Sequence, residues 1–246
     1  MDMKERKVWN ENQKKLKTII LKPQEHVNAT QLLLSQHALL HSSSISHTVQ
    51  ETMEDYVLRD LSESFFRQYP VSVPDTNNSI AWHLWHITRI EDMTMNILVT
   101  NDQQVLNSSW LKKLKIPYTH SGNDMSKEEM ALLSRSIDFE TLLAYRQVVG
   151  RQSQEIISSL KPGEFNGKVE QNRIKRLFEE DAVMPRSQWL AEYWSKKNVA
   201  GLILMPGTRH IFLHLNKCVR IKEKLLKKSG RITPLIQTSS SEEVID

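Results

Sequence analysis

The stretch Ser79-Ile-Ala-Trp-His-Leu-Trp-His-Ile-Thr-Arg-Ile-Glu-Asp92 decides the fold. Ser79 is a suitable N-cap, because its hydroxyl can accept from the free N–H groups of a first helical turn. Beyond it, at about 100° per residue, Trp82, His86, Ile90, Met93 and Ile97 fall on one narrow stripe. The pattern predicts a helix running to about Thr100, with His86 at the centre of its inward face. A buried imidazole is costly unless it is hydrogen-bonded or bound to a metal. His83 lies roughly 60° to one side of that stripe, so it is placed on the flank, as a contact to a ligand or a substrate. Trp82 packs or lines the pocket wall. Glu91 and Asp92 point about 100° or more away from the stripe, which predicts surface salt bridges for both.

A second stretch, Pro206-Gly-Thr-Arg-His-Ile-Phe-Leu-His214, carries two histidines four residues apart. On a helix such a pair stands one above the other and can reach a single ion. Pro206-Gly207 punctuates before a last helix of about Thr208 to Lys228, whose inward stripe is His210, His214, Lys217, Ile221 and Leu225. Helix bundles build metal sites in this way, from side chains on facing helices. The reading assigns His86, His210 and His214 to the metal. Three neutral imidazoles with an open position suit Zn²⁺ or Ni²⁺. Such an ion lowers the pKa of bound water or activates a bound thiol at neutral pH. Position 211 is Ile, so this is not the His-Glu-x-x-His arrangement of zinc proteases. Lys217, one turn past His214, either snorkels to solvent or presents its charge to an anionic substrate. Cys218 reads as a small buried apolar residue, since a nucleophilic role needs a lowered pKa.

Composition bounds the rest. The 246 residues carry 39% hydrophobic and 25% charged residues, as a globular protein does. Seven glycines and eight prolines are too few for the turns of an all-β fold, and the Leu-, Ile-, Glu-, Lys- and Gln-rich stretches predict an all-α one. A single cysteine excludes an internal disulfide and a cysteine-based zinc site. There is no apolar run of about 18 residues and no signal-like apolar segment behind the basic start. The expected location is therefore the cytoplasm, without membrane association. The net charge of +4 resides in residues 1–22, which hold seven Lys or Arg against three Asp or Glu. Residues 1–28 read as a solvated basic extension rather than a nucleic-acid arm, because aromatics and Gly-rich loops are not interleaved with the charge.

Along the chain, Thr30 to His41 predicts a helix with Thr30, Leu33, Leu34, His37 and His41 on one face, making His37 and His41 a further ligand-like pair. Glu51 to Gln68 predicts a second helical stretch. Tyr69 to Asn78 and Pro117 to Asp124 read as loops. Ser126-Lys-Glu-Glu129 is a capping box opening a long helix to about Leu160. Residues 163–185 predict a short helix and connection. Trp189, Tyr193 and Trp194 stand at helical spacing and read as packing residues. Residues 229–246 form a polar tail.

The two histidine-bearing stretches together resemble the DinB-like superfamily, over roughly residues 29–228. The resemblance implies a four-helix bundle with a crossover connection, supplemented here by short helices. It implies a divalent metal held by His86, His210 and His214. It also implies a homodimer, and an enzyme that uses a low-molecular-weight thiol such as bacillithiol, mycothiol or glutathione on a small electrophilic substrate. The chain departs from the pattern at Ile90, where many members carry Glu, and in the added His37 and His41, which supply a fourth ligand or a substrate contact. The Trp-rich part of the longer 100–200 region could form a lid. Two functions compete: a metal-dependent thiol transferase or hydrolase, and a non-enzymatic stress-related binding or scaffold protein with a structural metal.

Overall fold

A computed structural model describes residues 3–46 and 50–230. The α-helices of five residues or more are α1 (Met3–Ile19), α2 (His26–Ala38), α3 (Met53–Leu58), α4 (Glu63–Arg67), α5 (Ile80–Asp92), α6 (Ser108–Leu114), α7 (Lys127–Ser136), α8 (Phe139–Ser159), α9 (Gln171–Glu179), α10 (Gln188–Ser195), α11 (Val199–Leu204) and α12 (Ile211–Lys228). Two π-helical segments extend this framework: Met93–Thr100 continues α5, and Met205–His210 joins α11 to α12. Two isolated bridges, Val73 with Thr76 and Lys168 with Asn198, are the β pairing among the described residues. The all-α expectation holds. Helix α8 packs against both α2 and α5, while α12 packs against α5 and the π segment before it reaches α2. These four long helices form the bundle. No helix among the described residues is long and apolar enough to cross a membrane.

Helix α5 is the axis of the molecule. Ser79 caps it as expected, its hydroxyl accepting from the Trp82 N–H at 3.0 Å. Every residue from Ile80 to Asp92 is buried. A helix enclosed all round needs internal partners for each polar side chain on it, and this corrects the surface placement of Glu91 and Asp92. Asp92 accepts from Arg89 Nη1 at 2.8 Å, from the Tyr145 hydroxyl at 2.5 Å, and from the Val105 and Leu106 N–H groups. Glu91 meets His37 and His41 on α2 and on the turn after it.

Three other segment boundaries differ from expectation, each for a local reason. Among the described residues, 5–28 are not a solvated extension: Trp9, Gln13, Leu16 and Ile20 recur at helical spacing among the lysines and bury one face of the N-terminal segment. Trp9 stacks on Phe212 with ring centroids 3.9 Å apart, and Gln13 donates to Thr208. The stretch from 51 to 68 divides at Asp60, which adopts a left-handed φ of 57° before Ser62 caps α4. The helix opened by the Ser126–Glu129 capping box stops at Ser136, and α8 restarts under the Asp138 cap. Arg67 covers that break, its Nη1 donating to the carbonyls of Ser134, Arg135 and Ile137.

Pro206 also behaves otherwise than predicted. It lacks the N–H that an α-helix would use, yet the chain passes it in the wider π segment instead of breaking. The Thr208 hydroxyl donates to the Leu204 carbonyl there at 2.9 Å. Of the polar tail expected at 229–246, Ser229 and Gly230 form a turn, and residues 231–246 lie outside the described residues.

Candidate metal centre

The three predicted ligands come together. One nitrogen from each of His86, His210 and His214 lies within 4.8 Å of the others. His86 Nε2 is 3.2 Å from His210 Nε2. Nitrogens bound to one tetrahedral zinc at about 2.0–2.1 Å stand at a similar separation. His210 ends the π segment and His214 sits one turn into α12, and their ring centroids are 4.4 Å apart. His86 is buried, whereas His210 and His214 are partly exposed, so the cluster opens towards solvent on the α12 side.

Neighbouring groups hold these rings in place. His86 Nδ1 is 2.7 Å from the Ser121 carbonyl. A carbonyl accepts only, so Nδ1 carries the proton and the Nε2 lone pair faces the cluster. Trp82 stacks on the His86 ring at 4.6 Å and 11°, a packing contact that holds the ring. His83 lies on the flank, as read from its angle. Its Nδ1 is 2.9 Å from His214 Nδ1 and its Nε2 is 3.0 Å from the Thr76 hydroxyl. Both His83 nitrogens are thus engaged, one of them with His214.

The Ser121 carbonyl is itself positioned through a chain that starts on α5. Arg89 Nε donates to the Thr119 carbonyl at 2.8 Å, and Arg89 is gripped by Asp92, Tyr145 and Gln104. The Thr119 hydroxyl and Ser121 N–H then reach the Asp181 and Ala182 carbonyls. Asp124 accepts from the Ser187 hydroxyl and the Trp189 indole, tying the loop to α10. Gly122 adopts φ +82°, and a Cβ there would meet Trp82 Nε1 at 3.1 Å. Glycine therefore lets this loop lie flat on the tryptophan. The loop residues His120, Ser121 and Gly122 had no signal in the sequence beyond their loop composition.

Burial sets the protonation state. It pushes the His86 imidazole down to about 4, against the opposing pull of the Ser121 carbonyl. Burial first, then the neighbouring imidazoles and the Lys217 charge, hold His83, His210 and His214 well below the usual histidine range. Neutral imidazoles are the ligating form. Lys217 stays partly exposed one turn beyond His214. Cys218 is buried, and burial raises its thiol to about 12, which excludes a thiolate role at neutral pH. Trp194 is buried and packs, as expected, but Trp189 and Tyr193 are largely exposed.

His37 and His41 do not join this centre. They meet Glu91 in a second, separate group in which one donor atom from each residue also lies within 4.8 Å of the others. On α5, Glu91 follows His86 by five residues, which turns it about 140° around the helix and about 7.5 Å along it.

No curated protein matches the chain. A family model described as the DinB superfamily matches residues 47–194, more than half of the sequence. The match contains His83, His86 and Glu91, while His37, His41, His210 and His214 lie beyond its ends. With the helical fold and the histidine cluster, this match shows that the chain belongs to the DinB superfamily.

Proposed function

We propose that the protein is a divalent-metal-dependent enzyme that activates a small thiol or a water molecule for attack on an electrophilic small molecule. The observation that carries this reading is the neutral, convergent set of His86, His210 and His214, with the inner nitrogen of His86 fixed from behind by the Ser121 carbonyl. Zn²⁺ or Ni²⁺ suits three imidazoles. Such an ion, when bound, would lower the pKa of a coordinated thiol or water into the neutral range.

The chain's own residues supply position and access. Three ligands leave an open position, whereas structural zinc sites are closed by a fourth. The nearest fourth imidazole, His83, is occupied by His214 and Thr76, which favours the enzyme over a scaffold with a structural metal. The partly exposed side at His210 and His214 is the approach for substrate. Lys217 stands there as a cation for an anionic substrate or thiol. A homodimer, a low-molecular-weight thiol co-substrate and a cytoplasmic location belong to the same proposal.

Metal analysis of tag-free protein tests the centre, and a panel of thiols with electrophilic acceptors tests the reaction. Metal-dependent loss of a thiol from that panel supports transfer. Cobalt-substituted protein whose spectrum does not respond to thiol or pH would contradict an open position.

A further inference from the structure

We propose that His37, His41 and Glu91 form a second, enclosed divalent-cation site, distinct from the three-histidine centre. All three side chains are completely or almost completely buried. His37 Nε2 lies 2.7 Å from Glu91 Oε1 and His41 Nε2 lies 3.2 Å from Glu91 Oε2. The two imidazole rings stack with centroids 4.2 Å apart, so both present Nε2 to the same carboxylate. Two nitrogens and two oxygens thus converge as four donor atoms.

The protein alone leaves this group unsatisfied. His37 makes a hydrogen bond to Glu91, but His41 Nε2 and Glu91 Oε2 have no hydrogen-bond partner despite their proximity. Buried polar atoms are nearly always paired, so an orphaned donor set aimed at one point indicates a missing partner. Charge identifies the partner as a cation. The buried neighbours are Arg146 and Glu54, which pair with each other at 2.6 Å and cancel. That leaves Glu91 as a buried carboxylate facing the two imidazoles.

The chain makes room for the arrangement. A Cβ at residue 150 on α8 would meet His41 Nδ1 at 2.7 Å, so Gly150 permits the ring to lie against that helix. The group ties α5 to α2 and to the turn after it, and a bound ion would clamp them together. Two nitrogens with a carboxylate suit a first-row ion of intermediate softness, for which Zn²⁺ is the practical probe.

The inference is independent of the catalytic reading. The full chain carrying His86→Ala, His210→Ala and His214→Ala, confirmed helical by circular dichroism, is equilibrated with Zn²⁺ and dialysed. About one zinc per chain is expected, with a melting temperature that falls on adding a chelator. Further substitution of His41→Gln should remove both effects. Zinc-free triple variant with no chelator response overturns the proposal. Should that variant fail to fold, the wild-type chain is compared with Glu91→Gln: loss of one equivalent of zinc supports the site, and unchanged content overturns it.

Discussion

The two histidine groups on α5 differ in how their rings are held. At the three-histidine centre, His86 is fixed from behind by a carbonyl and His214 meets His83, and the cluster opens to solvent beside α12. At His37, His41 and Glu91 the rings are held by packing and by the carboxylate itself, and their Nδ1 atoms have no partner. The first geometry is oriented from outside and accessible, as exchange of a substrate requires. The second is closed on every side, as a clamp between helices requires. Metal-binding histidines tuned by an outer hydrogen bond bind more tightly than those without one, so zinc should leave the enclosed group first during titration with a chelator.

Acid should destabilise the metal-free protein through the buried histidines of both groups, and this is the largest expected effect. His86 titrates at about 4 and His41 at about 3, each below the unfolded value of about 6.5. The unfolded chain therefore binds more protons as pH falls through 6.5, and the fold loses stability from there downward. The His86 contribution, on the order of 3 kcal/mol, is spent by about pH 4. His41, His83, His210 and His214 are depressed as well, so the loss continues below pH 4. Denaturant melts between pH 7 and 3.5 check this, and stability that stays flat across that range would break the comparison.

Removing Arg146 tests the enclosed side alone. It donates to Glu54 at 2.6 Å and to the Leu40 carbonyl at 2.9 Å. Arg146→Ala leaves Glu54 buried without its partner and should cost about 3–5 kcal/mol in denaturant melts, with metal at the three-histidine centre retained under folding conditions. The glycines sharpen the contrast at smaller cost. Gly150→Ala forces a Cβ into His41 and Ile45, each at 2.7 Å, which should destabilise by about 1–3 kcal/mol and weaken the enclosed group. Gly122→Ala carries a left-handed φ, with an expected cost of about 1–2 kcal/mol. It should instead loosen the metal at His86 by displacing the Ser121 loop. The exposed Arg220–Asp75 pair at 3.6 Å is the control: Arg220→Ala should change stability by less than about 1 kcal/mol.

What was legible in the sequence followed from periodicity and spacing. The Ser79 cap, the His86 stripe and the His210–His214 pair each depend on a few residues along one helix, and these are local rules. Glu91 and Asp92 were misplaced because a periodic pattern shows which face is most apolar, not whether other elements cover the remaining faces. Helix α5 is enclosed by α8, α12 and the 102–124 segment, whose residues supply the partners that Asp92 and Arg89 require. The face formed by Trp9, Gln13, Leu16 and Ile20 was obscured by the basic residues between them. The Ser121 carbonyl could not be read at all, since a backbone acceptor has no residue type to betray it.

The central claim is that His86, His210 and His214 hold a divalent ion. Its most direct test is the metal content of the tag-free full chain beside the His210→Ala, His214→Ala double variant, both confirmed folded. Loss of about one divalent ion per chain in the double variant is the predicted result. Equal metal content in the two proteins would contradict it.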